Sequence, residues 1–190
     1  SNLIFLENGW CNGIKNLIKI DISSSNPLFK TFENKFVLRK LYEDNENYTV
    51  LAFCFRNVRN ITIPSFIEII DSFSFCYCES IQKVIIPQNS ELIMFGNSSF
   101  CDSSINRITI PNYTLFIGSS AFYECQKLSV VEINDNSELV EIGERAFFFT
   151  PITSFSIPAS LKHIRKSAFA NCMNLQIVEF NDFSKIKVIE

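Results

Sequence analysis

Histidine is nearly missing from these 190 residues: His163 stands alone. One imidazole supplies neither a His-based metal site nor a Ser-His-Asp set with a spare. It lies six residues before a phenylalanine, in a column otherwise held by Ile69, Met94, Phe116 and Glu141, so its role reads as structural. Basic runs are missing too, and the net charge is -3, which removes the electrostatic basis for binding nucleic acid or anionic lipid. No apolar run approaches the roughly 20 residues of a membrane span, so direct membrane insertion is not expected. Ser1-Asn2-Leu3 opens without a charged stretch or a small-residue cleavage site, so no leader peptide is read there. Paired acid and base, nucleophile elbow, phosphate loop and metal motif are all lacking. The chain is therefore read as non-enzymatic, without cofactor or metal.

What is present is a core in repeating form. Apolar residues are 47% and charged residues 19%, which argues for burial rather than disorder. The 20 Phe point to one bulky position used many times. Pro111 to Ile157 holds two copies of one motif end to end, built on I-G-x-x-A-F and an I-x-I or F-x-I triplet. A fixed period of this size marks a solenoid. The triplets are 61–63, 84–86, 108–110, 131–133, 155–157 and 178–180. Each precedes Pro64, Pro87, Pro111, Asn134, Pro158 or Asn181, at spacings of 23, 24, 23, 24 and 23. Proline has no backbone donor and ends a strand at the same place in each turn.

A second column is a small residue followed by phenylalanine: Ser74-Phe75, Ser99-Phe100, Ala121-Phe122, Ala146-Phe147 and Ala168-Phe169. The small residue suits close approach between coils, and the ring fills the interior. Five residues earlier stand Ile70, Phe95, Ile117, Ile142 and Ile164, three of them followed by Gly96, Gly118 or Gly143. The glycines suit a tight turn leading into a helical turn.

A third column holds Cys78, Ser103, Cys125, Thr150 and Cys172. Its cysteines lie two turns apart, or roughly 9 to 10 Å at strand spacing. That exceeds the approximately 7 Å limit for a disulfide, so the column reads as a small buried position. Cys76 and Cys101 share another slot one turn apart, where a bond is sterically open. Both the bonded and the free form stay in view. Cys76-Tyr77-Cys78 lacks the second ligand pair that zinc needs.

The expected organisation is one solenoid over 1–190. Residues 1–22 form a degenerate repeat ending in a strand at 17–22, and residues 23–57 a β-hairpin insertion with strands at 35–42 and 48–53. Residues 58–190 are regular repeats that stop mid-motif, which suggests a fragment of something longer.

The string I-x-I-P-x-x-[VL]-x-x-I-G-x-x-A-F-x-x-C-x-x-L-x-x-I resembles the BspA-like leucine-rich repeats, found in surface antigens of oral bacteria and surface-protein sets of parasitic protists. The match runs well from Arg59 to Glu190 and weakly over the first 22 residues. Departures are Asn134 and Asn181 for Pro, Asp71 and Arg165 for Gly, and Ser103 and Thr150 for Cys. The resemblance implies an α/β solenoid, a right-handed superhelix. Short parallel strands would line its concave face, with irregular coil and single helical turns on the other. It also implies adhesion to host extracellular-matrix or cell-surface protein, as part of a longer surface or extracellular protein.

In each strand the residue between the inward pair, and the one before it, should point outward. That gives Asn60, Thr62, Lys83, Ile85, Arg107, Thr109, Val130, Glu132, Ser154, Ser156, Ile177 and Glu179 as the candidate binding face. A long, rigid, mixed face suits a protein partner. The alternative is a cytoplasmic structural scaffold inside a larger assembly, since seven cysteines with no necessary pairing fit a reducing compartment equally well.

Overall fold

A computed structural model describes residues 5–7 and 9–190. The described residues form fifteen strands and no helix. Three open the fold: β1 (Phe29–Phe32), β2 (Phe36–Arg39) and β3 (Val50–Cys54). They make an antiparallel meander with a register shift between Val37 and Leu38. Two strands per coil follow. The longer ones carry the I-x-I triplets: β4 (Asn60–Thr62), β6 (Lys83–Ile85), β8 (Arg107–Ile110), β10 (Val130–Ile133), β12 (Ser154–Ile157) and β14 (Ile177–Phe180). Between them lie two-residue strands: β5 (Ile69–Ile70), β7 (Met94–Phe95), β9 (Phe116–Ile117), β11 (Glu141–Ile142), β13 (His163–Ile164) and β15 (Val188–Ile189).

The short strands, not the triplets, make the continuous ladder. They run parallel from β3 through β5, β7, β9, β11 and β13 to β15 and complete a nine-stranded sheet with the meander. The I-x-I strands pair only in twos: β4 with β6, β8 with β10, and β12 with β14. Within each pair the register offset is 23 residues, as in Asn60 to Lys83. Between pairs, from Lys83 to Arg107, it is 24. The extra residue falls where the ladder breaks.

The expected helical turns are absent, and the backbone bonding explains why. From Ser98 to Ser103 the amides alternate. Those of Ser98, Phe100 and Asp102 donate to Ser119, Ala121 and Tyr123 of the next coil, while those of Ser99, Cys101 and Ser103 donate three residues back. An α-helix needs each successive amide to donate to the carbonyl four residues back in its own segment. Here every second one serves the neighbouring coil. The conformation that allows this is left-handed at two positions per turn, such as Ser120 (φ 55) and Glu124 (φ 53). These residues carry side chains in a region L-residues seldom occupy, and coil-to-coil bonding holds them there. The α component of the expected fold is thus replaced by turns bonded coil to coil, next to the short-strand ladder. The glycines also act differently from expectation. A Cβ on Gly143 would lie 2.5 Å from the Ser119 nitrogen, so glycine is needed for close approach between coils.

The interior is a column of rings. Phe75, Phe100, Phe122 and Phe147 are fully buried, and Phe169 at the last full coil is half-buried. Consecutive rings stack with centroids 4.4 Å, 5.5 Å, 5.1 Å and 5.4 Å apart. The meander covers the first of them: Phe36 meets Phe75 edge-on. Its other face carries Val37, Ala52 and Phe53 into a second cluster with Cys11, Trp10 and Leu17. Residues 17–22 form no ladder strand. Leu17 accepts the amide of Arg56, and Leu17, Ile20 and Ile22 pack on that second cluster.

The third column is satisfied locally. Cys125 donates to the Phe100 carbonyl at 3.0 Å and meets Ser103, and Cys172 donates to the Phe147 carbonyl at 3.1 Å and meets Thr150.

Candidate interaction face

The I-x-I strands turn their ladder partners outward side by side. Asn60 sits beside Lys83 and Thr62 beside Ile85. Arg107 sits beside Val130 and Thr109 beside Glu132. Ser154 sits beside Ile177 and Ser156 beside Glu179. Asn60, Thr62, Lys83, Ile85, Arg107, Ser154, Ser156, Ile177 and Glu179 are exposed, while Thr109, Val130 and Glu132 are half-buried. Two apolar side chains stand out, Ile85 at 42% and Ile177 at 52% exposure.

Charge on this face is partly paired internally. Arg107 forms an ion pair with Glu132, and the same carboxylate accepts the Thr109 hydroxyl at 2.6 Å. Lys83 enters no ion pair among the described residues. Arg107 and Lys83 thus do not act as one basic pair. The opposite signs one turn apart in the sequence were the available signal.

The meander adds residues that strand alternation alone does not reveal. A hollow of about 410 Å³ lies where the β1–β2 turn approaches β4 and β6; Phe32, Asn60, Pro64 and Ile85 line it together with Glu33 and Lys35, which pair with each other at 3.0 Å. The turn bends there because Glu33 and Asn34 are both left-handed at φ 50. Its ring packs locally, with Phe32 edge-on to Phe66 at 5.9 Å.

His163 lies in β13 with Nδ1 buried and unpartnered. No group of three His, Cys, Asp or Glu among the described residues is placed to hold a metal ion. All seven cysteines are free thiols. No helix of the described residues is long and apolar enough to cross a membrane.

A model of the BspA type leucine rich repeat region matches residues 28–95 and 46–176 in six copies. The chain belongs to the BspA-type leucine-rich-repeat family. Such repeats are generally non-enzymatic and suited to binding proteins. No match was found among curated proteins. Solved relatives share the fold of these BspA-type repeats. A leucine-rich-repeat protein of T. pallidum is 22% identical with a TM-score of 0.67, over 78% of this chain and 70% of that one. The pneumococcal vaccine antigen PcpA is 23% identical with a TM-score of 0.60, over 83% of this chain and 40% of that one. A Bacteroides ovatus leucine-rich-repeat protein is 21% identical with a TM-score of 0.59, over 87% of this chain and 54% of that one. The BspA-type segment therefore spans about half the length of the last two.

Proposed function

We propose that this segment is a protein-binding module of a longer bacterial surface protein, an adhesin or antigen that engages a host or partner protein through the I-x-I strand face. The observation that carries the reading is the hollow at the β4–β6 end. It joins apolar wall from Phe32, Pro64 and Ile85 to the Asn60 amide and the Lys35–Glu33 ion pair, with the unpaired Lys83 alongside. An apolar anchor flanked by an acidic group on the partner fits that chemistry, and buried anchors dominate interface energetics. A vaccine antigen and other bacterial repeat proteins among the relatives of like fold support a surface setting.

The test uses two exposed positions, Ile85→Lys and Lys83→Glu, in separate variants. Binding to immobilised extracellular-matrix proteins and to host cells is measured beside thermal unfolding. Both variants should lose binding with an unchanged Tm. Undiminished binding in both removes this face from the function.

The seven free thiols favour a second reading, a scaffold in a reducing compartment. Surface labelling of intact cells separates the two: a labelled protein supports the adhesin, and an unlabelled one supports the scaffold.

A further inference from the structure

The I-x-I strands are not the only face open to a partner. On the continuous ladder the second residue of each short strand is buried: Ile70, Phe95, Ile117, Ile142 and Ile164. The first residue of the strand and the one before it stay outside. Over the five coils of β5, β7, β9, β11 and β13, the first residues are Ile69, Met94, Phe116, Glu141 and His163, aligned in register. The residues before them are Glu68, Ile93, Leu115, Val140 and Lys162. Ile93 is 39% exposed and Phe116 41%. Ile69, Met94, Leu115 and Val140 are half-buried and take no part in the ring core. These six side chains form an apolar stripe over four coils, and a contiguous exposed apolar patch marks a contact surface.

The charges at the two ends of the stripe decide its occupant. Asp71 is taken by Arg39 at 2.8 Å, and Glu141 by Arg165 at 2.7 Å. Glu68 and Lys162 enter no ion pair among the described residues. The Glu68 carboxylate accepts the Thr49 hydroxyl at 3.1 Å. One column therefore runs acid, three apolar residues, base, with its two open charges equally far from β9: two coils before it and two after.

We propose that a second copy of this chain covers the stripe, face to face about a two-fold axis along β9. Such an axis lays each column over itself and reverses the order of the coils. Glu68 then meets the partner's Lys162, and Lys162 meets the partner's Glu68. Ile93 meets the partner's Val140, and Leu115 and Phe116 each meet their own counterparts. Met94 falls opposite the partner's Glu141, whose charge Arg165 already offsets. This reciprocity is what an isologous contact requires. The end charges also select the antiparallel order, because keeping the coil order would set Glu68 against Glu68 and Lys162 against Lys162. Five coils at strand spacing span roughly 20 Å. The interface is small, so the dimer is reversible and of micromolar affinity.

Sedimentation velocity on the intact chain, from about 1 to 500 µM, reads the association. Wild type should pass from monomer to dimer across that range. Lys162→Glu and Glu68→Lys, each folded by its melting curve, should weaken the dimer about tenfold or more, since each reversal creates two like-charge contacts. Mixed in equal amounts, the two variants should dimerise as tightly as wild type. One copy then carries lysine at both ends of the stripe and the other carries glutamate. A wild type that stays monomeric throughout overturns the proposal. So does a Lys162→Glu dimer as tight as wild type, or a mixture no tighter than its components. If Glu68→Lys does not fold, Phe116→Ser replaces it: the dimer should weaken about tenfold, and undiminished association overturns the proposal.

Discussion

Replacing Phe122 by alanine probes the ring column where it is densest. Phe122 is fully buried and stacks on Phe100 and Phe147 at 5.5 Å and 5.1 Å, with interplanar angles of 17° and 9°; Phe95 leans on it at 5.4 Å. Deleting a buried ring costs about 3–5 kcal/mol once the cavity is included. Each stacked pair is worth about 0.5–1.5 kcal/mol beyond area. Two stacks lost together place Phe122→Ala near the top of the first range, roughly 5 kcal/mol. Phe169→Ala is the internal comparison. That ring is half-buried, keeps one stack with Phe147 at 5.4 Å and meets Phe155 edge-on at 4.7 Å. Its loss should cost roughly half as much. In a solenoid each coil contacts only its neighbours, so damage at Phe122 falls on coils to both sides and damage at Phe169 on the last two. Urea unfolding followed by circular dichroism and by the single Trp10 measures both. Equal costs for the two variants, or a Phe122→Ala cost under about 2 kcal/mol, would refute the idea of a continuous load-sharing column.

Two more perturbations follow from the columns. The Ser99 hydroxyl is fully buried with no partner, in a position that Ala121, Ala146 and Ala168 fill elsewhere. Ser99→Ala should stabilise by about 1 kcal/mol, read from the urea midpoint, because an unsatisfied polar group is removed without leaving a void. Burial lifts the Cys125 thiol from 9.0 to about 12. The unfolded chain therefore gives up that proton first, so stability from this group is intact below pH 9 and declines as pH rises towards 12. Between pH 8 and pH 10 the loss should be about 1.4 kcal/mol, and Cys125→Ser should flatten that part of the pH profile.

Much of this was legible from residue spacing, because a stacked coil forces equivalent residues to share an environment. The fully buried Phe75, Phe100, Phe122 and Phe147, the small residues before them and the buried Cys78, Ser103, Cys125 and Thr150 follow from period alone. What escaped the sequence concerns backbone choices that side-chain pattern does not encode. An A-F segment with i to i+3 bonding looks helical until the alternate amides are seen to leave for the next coil. The one-residue difference between odd and even turns was visible, but its effect, a broken I-x-I ladder beside an unbroken short-strand ladder, depends on where the extra residue sits. On the candidate face, the outward side chains were readable by alternation. Phe32 and Lys35 were not, since only the left-handed Glu33-Asn34 turn brings them to β4. The alternation at Leu17–Ile22 promised a strand, but those residues find apolar neighbours without a ladder partner. Arg56 gave no signal, because nothing in its spacing tells that it turns inward onto Cys78.

Amide hydrogen exchange resolved by residue tests the stacked-coil account most directly. The Ser120, Phe122 and Glu124 amides donate to Glu144, Ala146 and Phe148 of the next coil at 2.7 Å, 2.7 Å and 2.9 Å. Ser167, Phe169 and Asn171, their counterparts in the last full coil, have no such acceptor among the described residues. The account predicts that the first three exchange only with opening of the coil stack, while the last three exchange fast. Fast exchange at Ser120, Phe122 and Glu124, or equal protection in both sets, would contradict it.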